Sequence, residues 1–187
     1  PSIIAAMPAQ GANPSTEAPV VAEYCVSVIG KATGSSQVSP EHYRYCSDKP
    51  FDTYAHLKAP AALARLRNGL WTSNSTQAQL EGRVKAVSAT HIFTVYQHDQ
   101  YNSNRSGATW SYYGSDGPCD QYGYYWTPST WWKHNASSLR AGYTSKCNKW
   151  RLKNRGGTKW KEFSGSGVPN LTPDYNDNLG SLQVWRR

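Results

Sequence analysis

The sequence predicts a mainly β protein with a small, partly helical, disulfide-stapled N-terminal extension, and three observations lead there. Beyond Glu81 the chain alternates apolar with polar residues at a period of two, as in Ile92-Phe93-Thr94-Val95-Tyr96, Lys149-Trp150-Arg151-Leu152-Lys153 and Leu179 to Trp185. Its rings are 8 Trp and 13 Tyr against 3 Phe, so a core built from them must use aromatics that carry a polar tip. The four cysteines, Cys25, Cys46, Cys119 and Cys147, are even in number and form no C-x-x-C pair, which disfavours zinc or redox chemistry and points to two disulfides in an oxidising compartment.

Residues 1–24 are rich in Ala, Pro and small polar residues without helical or strand periodicity, and read as a flexible processed or leader segment. The stretch Ile3 to Ala12 has the character of a signal peptide's apolar tail and small-residue cleavage zone. No apolar run approaches the about 18 residues needed to span a bilayer, so secretion is the expected fate. Residues 25–80 form the extension. Ser39-Pro40-Glu41 predicts a helix start, with Ser as cap and Pro at the first helical position, the helix ending near Cys46. A second helix is predicted from Ala59 to Leu70, with Arg65 and Arg67 outward and Gly69 near its end. Helices this short need a sheet to lie on. Residues 81–187 form the β domain, in which Trp150 and Leu152 face inward, Lys149, Arg151 and Lys153 face water, and Asn154-Arg155-Gly156-Gly157 turns the chain. Three disulfide pairings are possible; loop closure within each half favours Cys25 with Cys46 and Cys119 with Cys147.

The β domain repeats itself. One copy runs from the aromatic strand Thr94 to Tyr101 through Tyr113-Gly114 to Lys133-His134-Asn135-Ala136-Ser137-Ser138; the other runs from Trp150-Arg151-Leu152 through Gly156-Gly157 to Asn176-Asp177-Asn178-Leu179-Gly180-Ser181. With its Tyr96…Tyr101 pair and these two closing segments, the region from about residue 87 onward resembles the βγ-crystallin superfamily, in particular its secreted bacterial, actinomycete-type branch, which includes crystallin-fold inhibitors of metalloproteases. The resemblance implies a double Greek key sandwich, and it implies that the closing segments look like the family's Asn/Asp-Asn/Asp-x-x-Ser/Thr-Ser calcium signature. Both copies are degraded: Lys133 stands at the first position of one and Gly180 at the fifth position of the other. The family's geometry would leave one hybrid calcium site, built from Asn176, the Asn178 carbonyl and Ser137, and neutral ligands make such a site weak.

The net charge of +8 sits entirely in the stretch from Lys133 onward, where eleven basic residues face three acidic ones. There Lys149, Trp150, Arg151, Lys153, Lys159, Trp160 and Lys161 interleave cations with indoles, a pattern that suits an anionic partner: a wall polymer, an acidic glycan, a phospholipid surface or the acidic rim of a protein. No nucleic-acid module is recognisable. None of the five histidines lies in an H-E-x-x-H pattern, and there is no G-x-S-x-G elbow or Walker loop. His98-Asp99, the one adjacent His–carboxylate pair of the β region, would point to opposite faces of a strand and reads as a turn. The expectation is therefore a secreted, non-enzymatic binding protein. It would be a protease inhibitor or toxin-like protein acting through the basic aromatic face or the Gly114 to Gly123 loop pinned by Cys119, or alternatively a cell-envelope or anionic-glycan module; an unrecognised small hydrolase is the third reading.

Overall fold

Two β-sheets face each other across an aromatic core, and three helices lie on the outer side of the larger sheet. The computed structural model describes residues 23–34 and 36–187, so all but the last two residues of the leader segment lie outside the described residues. In chain order the elements are β1 (Tyr24–Ile29), β2 (Glu41–Ser47), α1 (Thr53–Lys58), α2 (Pro60–Leu70), α3 (Gln77–Ala89), β3 (His91–Tyr96), β4 (Thr109–Gly114), β5 (Tyr124–Trp126), α4 (Thr130–Lys133), β6 (Ser138–Ala141), β7 (Lys149–Asn154), β8 (Trp160–Ser164), β9 (Gly167–Val168) and β10 (Leu179–Trp185).

The first sheet has the order β2-β1-β4-β3-β6-β9 and the second the order β5-β10-β7-β8. All neighbours are antiparallel except β1 and β4, which run parallel. From His91 onward the two halves are laid out alike. Each supplies a hairpin, β3–β4 or β7–β8, and a fourth strand, β6 or β10, to one sheet, and each sends its third strand, β5 or β9, to the edge of the other sheet.

Strand alternation sorts the residues of the first sheet into two cores. Phe93, Trp110, Tyr112 and Leu139 face the second sheet, where they meet Trp126 and Trp150, together with Trp132 of α4. Phe93 stacks on Tyr112 at 4.5 Å, and Trp110 meets Trp126 edge-on at 5.4 Å. One polar tip is satisfied inside the core: the Trp110 Nε1–H donates to Ser27 Oγ at 2.9 Å, whose hydroxyl donates to Glu41, whereas the Tyr112 hydroxyl and the Trp126 and Trp132 indole N–H groups are buried without a hydrogen-bond partner among the described residues. On the other side Val26, Val28, Tyr43 and Tyr113 pack against Leu57, Leu66 and Val87 of the helices. The short helices thus cover a sheet, as their length demands. At Gly69 α2 comes close to that sheet: a Cβ there would lie 1.9 Å from the carbonyl oxygen of His42 in β2.

Two local expectations are corrected. Ser39-Pro40-Glu41 does not start a helix; it leads into β2, where Tyr43 and Tyr45 alternate with polar residues and Cys46 lies directly opposite Cys25. Ser39 is buried and caps a strand instead, accepting from the Tyr125 N–H at 2.9 Å and donating its own N–H to the Tyr125 carbonyl. The change to strand character also falls later than Glu81, because α3 runs to Ala89; its signal was Thr76-x-x-Gln79, which forms a full capping box. The predicted second helix is present as α2, with Pro60 in its first turn. Both disulfides join cysteines within one half, Cys25 to Cys46 and Cys119 to Cys147.

At the start of β3, His91 is largely buried and bonds Thr94 Oγ1 at 2.8 Å, and Thr94 bonds Ser111. Burial, only partly offset by a hydrogen bond from the ring to the Phe93 backbone, pushes its imidazole down to about 4. The folded state therefore needs this ring neutral. Above the unfolded value near 6.5 the contribution is fully present; as pH falls from about 6.5 to about 4 only the unfolded chain takes up the proton, and about 3 kcal/mol of stability is lost. Urea denaturation across this window should show that slope, and His91→Gln should remove most of it; an equal slope in the variant would assign it elsewhere.

Candidate functional site

Lys149, Arg151 and Lys153 leave β7 on the outer face of the second sheet, and the cross-strand register sets them beside Ser164, Glu162 and Trp160 of β8 and Trp185 of β10. The Arg151 guanidinium is the centre of this face. Its carbon lies 5.6 Å from the Trp160 ring centre and 5.5 Å from that of Trp185, and its Nε and Nη2 donate to Glu162 Oε1 at 3.0 and 2.6 Å. Trp160 is 62% exposed, a large indole in solvent with a cation at its face. Lys149 donates to Ser164 Oγ at 2.7 Å, and among the described residues neither Lys149 nor Lys153 meets a carboxylate, so the face keeps a positive excess.

Three residues of the expected basic aromatic set stand elsewhere. Trp150 is fully buried between the sheets, because its place on β7 alternates with Lys149 and Arg151, and its Nε1–H donates to the Gly165 carbonyl at 2.9 Å. Lys161 lies on the opposite face of β8 from Trp160, over the Phe163 ring at 5.2 Å. Lys159 precedes β8 and pairs with Asp174. Trp185 is the member that sequence reading missed; it was seen as the end of an alternating strand, and only the pairing of β10 with β7 sets it opposite Lys149.

At one end of the sandwich the two closing segments and the loop after β3 line a cleft of ≈ 420 Å³. Ser137 and Asn176 both line it; Asn178 does not, and its carbonyl accepts the Arg155 N–H at 2.8 Å. Asp99 and Asp177 add carboxylates, while His98 and Arg105 add basic groups. Asp177 sits in a left-handed backbone at φ 53°, takes a 3.5 Å hydrogen bond from Ser137, and has its carboxyl pushed up by burial against the pull of Ser137, His98 and His134. The donors are oxygens, as calcium prefers, but Asn178 is not among them. His98 and Asp99 lie beyond the end of β3, so strand alternation does not separate them and both face this cleft. Ser138, fully buried, locks the loop by donating to the His98 carbonyl and accepting from the Tyr101 N–H, and Tyr101 packs edge-on against Tyr96 at 5.6 Å.

The Gly114 to Gly123 loop is tied from within. Asp120 Oδ1 accepts from the N–H groups of Tyr122 and Gly123, Lys31 pairs with Asp120, and Cys119 is buried at its disulfide. Among the described residues no histidine ring hydrogen-bonds a carboxylate: His42 contacts Gly69 and Arg83, His56 contacts Tyr43, and His134 contacts Arg155. The one close grouping of metal-ligand residue types among the described residues, Glu23, Cys25 and Cys46, has both its sulfurs in a disulfide. No helix of the described residues is long and apolar enough to cross a membrane. Comparison with known proteins gives no match: no protein-family model, no curated protein and no solved structure is similar to this chain.

Proposed function

We propose that this is an extracellular, non-enzymatic binding protein on a double Greek key of the βγ-crystallin kind, and that it holds an anionic cell-envelope polymer or acidic glycan on the outer face of its second sheet. The observation that carries the reading is Arg151 set between Trp160 and Trp185, with Lys149 and Lys153 on the same face. Indoles offer flat faces to sugar rings, and the cations supply the attraction to a polyanion. The exchange of third strands between the two sheets supports the double Greek key reading, and the two disulfides support an oxidising compartment.

The test is binding to immobilised teichoic acid or dextran sulfate beside neutral dextran, at two salt concentrations. The expected result is salt-sensitive binding to the polyanions alone, weakened about tenfold by Trp160→Ala and again by Arg151→Gln. Unchanged affinity in both variants would overturn the assignment of the face. Inhibition of a secreted metalloprotease, lost on replacing the exposed Tyr122, would move the function to the internally tied Cys119 loop.

Calcium belongs to the same reading as a weak ligand of the end cleft, held by Ser137 and Asn176 with the Asp177 carboxylate in place of Asn178. Calorimetric titration should give millimolar-range binding that Asn176→Ala removes; no heat in the native protein would leave these segments as turns only.

A further inference from the structure

A second cavity, of ≈ 500 Å³, opens on the outer face of the first sheet where the helices do not cover it. Tyr96 of β3 and Arg140 of β6 form its floor, and the loop after β6 forms its wall with Tyr143 and Lys146. No carboxylate lines it, and neither Arg140 nor Lys146 enters an ion pair among the described residues. Two cations thus converge on one cavity without a counter-charge. Arg140 lies 5.4 Å above the Tyr101 ring, which holds the guanidinium plane and leaves its edge donors free. Lys146 is held at φ 55°, a left-handed conformation that fixes where its side chain departs from the wall. Ser145 is not a donor here, because its hydroxyl is spent on the Gly142 carbonyl, but Ser166 at the rim is exposed. Tyr143 is wholly solvent-exposed, a bare phenol ring beside the two charges.

We propose that this cavity receives a sugar esterified with phosphate or sulfate, the oxyanion set between Arg140 and Lys146 and the sugar ring against Tyr143. Paired, uncompensated cations are the recognition element for a tetrahedral oxyanion, and the cavity falls within the range of about 300–1,000 Å³ that holds small ligands, far more than a bare ion fills. This site lies on the other sheet from the polymer-binding face and does not depend on it.

The test is calorimetric titration at about 0.15 M ionic strength with glucose 6-phosphate, galactose 6-sulfate, glucose and inorganic phosphate. Both esters should bind saturably, glucose should not, and inorganic phosphate should bind about tenfold more weakly than the esters. The double variant Arg140→Gln/Lys146→Asn should lose at least about tenfold in ester affinity, and Asn accepts the left-handed backbone at position 146, so the fold is kept. Lys49→Gln/Lys85→Gln, which removes the same charge from exposed sites remote in sequence, should bind as the native protein does. Three results would each overturn the proposal: no ester binding, equal loss in both double variants, or inorganic phosphate binding as tightly as the esters, which would make the free ion the ligand.

Discussion

Trp150→Ala is expected to destabilise the protein by about 3–5 kcal/mol, while Trp160→Ala, ten residues further on and across the same hairpin, should stay within about 0.5 kcal/mol of the native protein. The two indoles occupy opposite sides of the sheet. Trp150 is fully buried, meets Phe93 edge-on at 6.2 Å, and donates to the Gly165 carbonyl. Its truncation removes apolar burial, leaves a cavity between the sheets, and strips a carbonyl of its partner, three costs of one sign. Since a domain of this size is stable by about 5–15 kcal/mol, the variant should unfold at a visibly lower urea concentration at ambient temperature. A cost under about 1 kcal/mol would mean that the two sheets do not close on this residue.

Removing the Cys119–Cys147 bridge, as Cys119→Ser/Cys147→Ser, should cost about 3.5 kcal/mol through the freedom returned to the unfolded chain. The bridge spans 28 residues, from the loop before β5 to the start of β7, and both cysteines are buried, at 5% and 6% exposure. The Cys25–Cys46 bridge closes 21 residues and joins directly opposed positions of β1 and β2, yet Cys46 is exposed. Mild reductant followed by alkylation of the folded protein should therefore label Cys25 and Cys46 first. Mass spectrometry showing Cys119 and Cys147 labelled first would contradict this order of access.

Much of the β region is legible in the sequence because the period-two signal there is strong. Lys149 to Lys153 states which of its side chains face water, and the structure has Leu152 buried and Lys153 exposed accordingly. The helix from Ala59 is legible through Pro60 and its spaced apolar residues. Failure occurs where a local signal competes with a distant one. Ser39-Pro40-Glu41 carries a good helix start, but the disulfide and the edge of β5 claim Ser39 and the strand after it, and neither partner is near in sequence. The candidate face is half-legible for the same reason: its β7 cations can be read along one strand, whereas Trp185 joins them only through the register of β10, and the cavity under Arg140 arises from which part of a sheet the helices leave bare.

The exchange of third strands between the sheets has a kinetic consequence. The larger sheet gains its edge strand only at Gly167–Val168, and the smaller one lacks an interior strand until Leu179–Trp185 has been made. Neither half can close by itself, so a nascent chain emerging in order has no stable stopping point before β10. With so many of its pairings between distant segments, folding should be slow, and the polypeptide should stay threadable until β10 has been made.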